Sequence, residues 1–178
     1  MNECERSPDP RSVVVAFNPK RLYFSADTFQ HGRELWTSDG STQGTQLMVN
    51  LLKNGASNSS SGDLGIEKGR SGVPKEAKIY YINNSLYFSA SSRFEEDANG
   101  SELMISNGLP ENEPNGQGVT PENTYLFYEA ISGGLGSSPD HMTLYKDFIY
   151  FSGVREPSSG VFDREVHRVT ALETEKLL

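Results

Sequence analysis

The sequence predicts an all-β protein, a β-propeller-like array of about three four-stranded antiparallel blades that together make a partial propeller. A short pattern, an aliphatic residue followed by Tyr, Phe and Ser, occurs at residues 22–25, 86–89 and 149–152. The phenylalanines of successive copies are 64 and 63 residues apart. A near-constant period of this length is typical of a supersecondary unit that is repeated and packs on its neighbours.

Each copy of the pattern is predicted to be the second strand of a β-hairpin. A turn containing Asn, Pro or Asp precedes it, at residues 18–19, 83–84 and 146–147. Because these residue types tolerate turn geometry, one hairpin is expected per unit, at residues 13–25, 78–89 and 142–152. Side chains alternate along a strand, so we expect the three phenylalanines of the pattern to be buried between units, namely Phe24, Phe88 and Phe151.

A glutamate follows each copy of the pattern after a loop of variable length, at Glu34, Glu102 and Glu165. Fixed strands joined by variable loops are typical of repeat proteins. A catalytic acid is not needed once per unit. We therefore expect these glutamates to hold a neighbouring backbone or basic side chain, with ligand binding as the alternative.

The first unit is the most complete. Asp39-Gly40 predicts a hairpin turn, and residues 44–51 predict a fourth strand. Four strands in about 40 residues is the size of a propeller blade. Outer strands of the other units are expected at residues 125–128 and near 174–178. The predicted domains are a flexible tail at residues 1–11 and a repeat domain at 12–178, with units at about 12–55, 76–130 and 140–178.

Residues 22–51, LYFSADTFQHGRELWTSDGSTQGTQLMVNL, resemble the bacterial repeat family named for its ELWxxDGT signature. The signature positions that match are Glu34, Leu35, Trp36, Asp39, Gly40, Gly44 and Thr45. In the later units Met104 and His167 replace the tryptophan, and Asn107-Gly108 replaces Asp-Gly. The resemblance implies a propeller-like all-β array, often in secreted or surface proteins, and no particular activity. A secreted, surface or organelle-lumen location is therefore expected over the cytosol.

Composition restricts the classes of function. The net charge of −8 argues against nucleic-acid binding, which needs a basic face. Since no stretch approaches 18 apolar residues, no transmembrane segment is predicted. The single cysteine, Cys4, cannot form an internal disulfide and is either a free thiol in the tail or a bridge to another chain. The first residues do not form a signal peptide.

The sequence offers few candidate catalytic or metal-binding residues. The three histidines, His31, His141 and His167, lack the spacing of a zinc site, and we predict no catalytic residues and no required cofactor. The best metal candidate is an acidic loop in which Asp97, Asn99 and Ser101 alternate as oxygen donors for calcium. A solvated acidic loop is the alternative, and the one we favour, because Gly108 stands where an EF-hand would have its bidentate glutamate.

The predicted function is therefore that of a non-catalytic protein-interaction or scaffold module. One alternative is a peripheral subunit docked on a large complex, which could be membrane-associated. Another is a secreted or surface module for adhesion or glycan binding, and the last is a propeller enzyme. Because about three blades do not close a ring, other protein chains are expected to cover the open propeller ends. Docking or continuation is expected in preference to self-pairing, since the units have diverged.

Overall fold

The computed structural model describes residues 9–17, 20–28, 31–51, 78–90, 101–110, 123–131, 136–155 and 163–171. Over these segments the chain forms eleven β-strands in three antiparallel sheets of four, four and three strands. None of these segments is helical, so none supplies a helix that could cross a membrane. The all-β prediction is confirmed.

In the first sheet, strands adjacent in sequence are adjacent in space. Its strands are β1 (Arg11–Phe17), β2 (Lys20–Thr28), β3 (Gly32–Ser38) and β4 (Gln46–Val49). The second sheet repeats this order with β5 (Ile79–Ile82), β6 (Ser85–Ala90), β7 (Glu102–Ser106) and β8 (Thr124–Tyr128). The outer strand expected at residues 125–128 is confirmed.

The third sheet contains β9 (Asp140–Tyr145), β10 (Phe148–Val154) and β11 (Arg164–Thr170), with β10 in the middle. All three predicted hairpins form. Two of their turns use left-handed backbone at non-glycine residues, with φ of 47° and 58° at Asn83 and Asn84 and 54° at Lys146. The outer strand expected near residues 174–178 lies outside the described residues.

The turn after the third strand has the same construction in the first two sheets. The Ser38 hydroxyl accepts the Gly40 N–H at 3.0 Å, and the Ser106 hydroxyl accepts the Gly108 N–H at 3.2 Å. Both glycines have positive φ, 95° and 81°, which residues with a side chain rarely adopt. The two units are therefore equivalent beyond their strands.

The residue before each of these glycines also makes the same hydrogen bond in both units. Asp39 Oδ1 accepts the Ser41 N–H, and Asn107 Oδ1 accepts the Leu109 N–H, each at 2.9 Å. A Cβ added at Gly44 would overlap the Asp39 carboxylate. Asp39, Gly40 and Gly44 of the first unit are thus requirements of this turn.

Each sheet has two faces because side chains alternate along a strand. We call the face of Phe24, Phe88 or Phe151 the Phe face of its sheet, and the opposite face, which carries Tyr23, Tyr87 or Tyr150, the Tyr face. One buried cluster joins the Tyr face of the first sheet, through Tyr23 and Leu35, to the Phe face of the second, through Phe88. A second cluster joins the Tyr face of the second sheet, through Tyr87, to the Phe face of the third, through Phe151.

The packing of sheets therefore has one direction, Tyr face onto Phe face, at both interfaces. The second sheet lies between the other two, so every residue of β6 is buried. The expected burial of Phe88 and Phe151 is confirmed, at 0% and 1% exposure. The same expectation was wrong for Phe24, which is only partly buried, because its face is not the one that packs on the second sheet.

Candidate functional site

The buried carboxylate of Glu102 holds the segment that leads into the third sheet. Its Oε1 accepts the Ser137 N–H at 2.8 Å, while its Oε2 accepts the Ala130 N–H at 3.3 Å and the Ser137 hydroxyl. Burial raises the pKa of Glu102, and the hydrogen bonds from Ser137 and Ala130 oppose that rise. The carboxylate thus joins β7 to backbone at Ala130 and Ser137, which are 28 and 35 residues further along the chain.

The other two repeated glutamates differ in their surroundings. Glu34 is fully buried, and its Oε2 accepts the Leu51 N–H at 3.2 Å. Glu165 is exposed and forms an ion pair with Arg155 at 3.4 Å. The expectation that these acids hold backbone or a basic side chain is confirmed at all three positions.

The residue facing each glutamate on the neighbouring strand is small. Ala26 faces Glu34, Ala90 faces Glu102, and Gly153 faces Glu165. A small neighbour leaves room for a carboxylate to turn back towards the backbone. The sequence carries this signal, since each Tyr-Phe-Ser pattern is followed by Ala or Gly.

Two tyrosines make polar contacts across the sheet interfaces. The Tyr23 hydroxyl of the first sheet donates to the Gly108 carbonyl after the second sheet's third strand, at 3.0 Å. The Tyr80 hydroxyl of the second sheet donates to Asp140 Oδ1 of the third, at 2.8 Å. Burial acts to raise the pKa of Asp140, but hydrogen bonds from His141 and Tyr80 and the nearby Lys78 charge outweigh it and lower that pKa. These contacts fix each sheet against the next.

Arg33 is a buried cation whose guanidinium donates to Asp9, which precedes the first strand, and to Ser25 of β2. Its guanidinium donates to the Asp9 carbonyl at 2.9 Å, to Asp9 Oδ2 at 3.0 Å and to the Ser25 hydroxyl at 3.3 Å. Asp9 Oδ2 also accepts from Arg11. This group holds the start of β1 to the first sheet.

The structure separates the three histidines. The ring of His31 is partly buried, which lowers its pKa, and Nδ1 lies 3.5 Å from the Asn50 amide nitrogen. His167 stacks on Phe151 at 5.2 Å between ring centroids and donates to the Gly153 carbonyl at 3.2 Å. His141 is exposed beside Asp140. Among the described residues no group of three or more His, Cys, Asp or Glu could hold a metal ion.

The structure describes only part of the proposed calcium loop. Of its three candidate ligands, Asp97 and Asn99 lie outside the described residues, as does Cys4. Ser101 is described, and its carbonyl accepts the Ser138 N–H at 2.8 Å. That carbonyl therefore helps to hold the segment entering the third sheet.

Two sheet faces take no part in the two interfaces. On the Phe face of the first sheet, Leu22 is 38% and Val15 is 40% exposed, and Phe24 and Trp36 are partly buried. The indole nitrogen of Trp36 is buried with no hydrogen-bond partner among the described residues. The large side chains exposed on this face, Leu22 and Val15, are apolar.

The Tyr face of the third sheet is aromatic. Tyr150 lies 6.3 Å from Tyr145 and 6.5 Å from Phe148 between ring centroids, and the Arg168 guanidinium lies 4.8 Å from the Phe148 ring centroid. Tyr145 is 61% and Val166 is 78% exposed. Apolar side chains that are exposed next to one another are a feature of surfaces that bind a partner.

Sequence reasoning missed the inter-sheet contacts of Ser137 and of Tyr80 with Asp140. Ser137 is 35 residues from Glu102, and no motif marks the pair.

A comparison with protein-family models, with curated proteins and with solved structures finds no significant match to this chain.

Proposed function

We propose that this chain is a non-catalytic protein-interaction module, a propeller-type scaffold of stacked antiparallel sheets. One observation carries the proposal. The Tyr face of one sheet packs on the Phe face of the next at both interfaces, while a Phe face and a Tyr face are left with exposed apolar side chains. Such faces occupy the same positions in their sheets as the faces already buried, so a protein surface is the partner that suits them.

The propeller arrangement is part of the proposal. Packing that always runs in one direction is heterologous, and a heterologous contact that is repeated either closes into a ring or extends as an array. The turn chemistry at Asp39 and Gly44, which corresponds to the ELWxxDGT signature, favours a repeat scaffold of that family. The family resemblance also favours a secreted, surface or organelle-lumen location.

The acidic groups favour a scaffold over a propeller enzyme. Glu34 and Glu102 accept hydrogen bonds from backbone N–H groups, and Asp140 accepts from Tyr80. Carboxylates with these partners serve to join strands and sheets. A peripheral subunit of a large complex uses the same open faces and is the second candidate. A glycan-binding surface module is the third.

Cross-linking mass spectrometry on natively purified material tests the proposal. Lys20 borders the open face of the first sheet, and Lys146 borders that of the third. We expect cross-links from both lysines to another protein chain, and fewer from Lys78, which directly precedes β5 of the middle sheet. A chain whose Lys20 and Lys146 form cross-links only within itself would contradict an interaction module that uses these faces.

A further inference from the structure

We propose that the open Phe face of the first sheet binds the open Tyr face of the third sheet of a second copy of this chain. The inference rests on the proposed function, names its partner, and departs from the sequence-based expectation of docking or continuation in preference to self-pairing. The contact continues the direction of the two internal interfaces, in which a Tyr face always meets a Phe face. The two copies thus associate head to tail.

The open Phe face matches the Phe face that is buried in the second sheet. Leu86, Phe88 and Met104 of that sheet pack against the first sheet, and only 1%, 0% and 1% of their surface is exposed. Leu22 and Phe24 are their repeat equivalents. The residue opposite Phe24 across the strands is Trp36, as Met104 is opposite Phe88. The same pattern of large apolar groups is therefore available for a third interface.

The open Tyr face supplies the complementary surface. Tyr150 is the repeat equivalent of Tyr23 and Tyr87, both of which are buried where their sheet meets the next one. In the first interface the Tyr23 hydroxyl crosses to a backbone carbonyl. Tyr145 on the same open face is 61% exposed, so a tyrosine hydroxyl is available to cross a third interface in the same way.

The stoichiometry follows from the direction of packing. The described segments of each copy form three sheets, so two copies joined through both pairs of open faces contain six such sheets, within the range of four to eight blades found in propellers. The symmetric pair buries both open faces at once. A contact of two like faces, Phe on Phe, would instead leave the aromatic Tyr face of each copy exposed.

The test uses variants that block one face each. Leu22→Arg places a charge on the Phe face, and Val166→Arg places one on the Tyr face. Leu109→Arg, at a loop leucine that is 49% exposed, is the matched control. Because an unpaired charge in an apolar interface is costly, each blocking variant should weaken self-association by about 100-fold, and the control by less than about twofold.

Mixing the two blocking variants distinguishes contacts between a Phe face and a Tyr face from contacts between two like faces. Sedimentation velocity should show dimers of the parent chain, monomers of each blocking variant, and a one-to-one pair when the two variants are mixed. The unblocked Tyr face of Leu22→Arg then meets the unblocked Phe face of Val166→Arg. If Leu22→Arg does not fold, Val15→Arg on the same face replaces it.

A parent chain that stays monomeric at every concentration overturns the inference, and so does a Val166→Arg chain that dimerises as the parent does. A monomer whose Lys20 or Lys146 cross-links to a different protein leaves the proposed function standing without self-pairing. A monomer without such cross-links contradicts both. The two failures are thus distinguishable.

Discussion

The hydroxyl of Tyr23 in the first sheet donates a hydrogen bond to the carbonyl of Gly108 in the second, at 3.0 Å. Gly108 has φ of 81°, and a Cβ there would lie 2.7 Å from that hydroxyl oxygen. A tight turn and an inter-sheet contact therefore depend on the same glycine. The contributions of the turn and of the contact to the free energy of unfolding can be measured separately. Gly40 occupies the equivalent turn of the first unit, and a Cβ added there would have nothing within 4 Å.

Gly108→Ala should destabilise the protein more than Gly40→Ala does. Both changes force a side chain into left-handed backbone, which costs about 1 kcal/mol or more. Only Gly108→Ala also displaces Tyr23, so the difference in the free energy of unfolding should be about 1 kcal/mol or more. Urea denaturation measures both. In the Tyr23→Phe background this difference should shrink, and an undiminished difference would place the strain elsewhere.

Truncating the pattern phenylalanines should give unequal losses. Phe88→Ala and Phe151→Ala should each lower the free energy of unfolding by about 3–5 kcal/mol, because these rings are fully buried. Phe24→Ala should cost less than about 2 kcal/mol in the monomer, since its ring is partly exposed. Denaturant unfolding at low protein concentration is the measurement. Equal losses at the three positions would contradict the open face.

Glu102→Gln should change the pH dependence of stability. Burial raises the folded-state pKa of Glu102 above its ordinary 4.5, so the folded chain binds the proton more tightly than the unfolded chain. The resulting stabilisation is fully present below pH 4.5 and is lost as pH rises through the folded-state pKa. The parent should therefore lose stability relative to the variant over that window.

The exposed Glu165 provides the matched control for this experiment. Subtracting the effect of Glu165→Gln removes the general consequence of deleting one carboxylate. Thermal melts of the three proteins between about pH 4 and pH 8 suffice. A parent that gains stability relative to Glu102→Gln as pH rises would mean that the hydrogen bonds from Ser137 and Ala130 outweigh burial.

Calcium should leave the protein unchanged. The sequence offers Asp97, Asn99 and Ser101 as oxygen donors, but we favour the solvated acidic loop. We therefore expect no shift in Tm when millimolar calcium is added or chelated, and the same Tm response in Asp97→Asn. A ligand bound only by the folded state would raise Tm. A rise that Asp97→Asn abolishes would establish the site.

The sequence by itself determined the strands and turns, because both are set locally. The 64- and 63-residue spacing and the Asn, Pro and Asp residues located all three hairpins. The Asp39-Gly40 and Asn107-Gly108 pairs located equivalent turns, since positive φ favours glycine. The role of the repeated glutamates was also predictable, as one acid in each unit is more than catalysis requires.

Only the tertiary structure decided which face of each sheet is buried. Alternation divides Tyr23 from Phe24, but it does not say which of the two meets another sheet. That choice depends on the neighbours: the second sheet has one on each side and buries both Tyr87 and Phe88, whereas the first sheet packs through Tyr23. The hydrogen bond between Glu102 and Ser137 could not be predicted from the sequence either, because only the packing of whole sheets brings these two segments together.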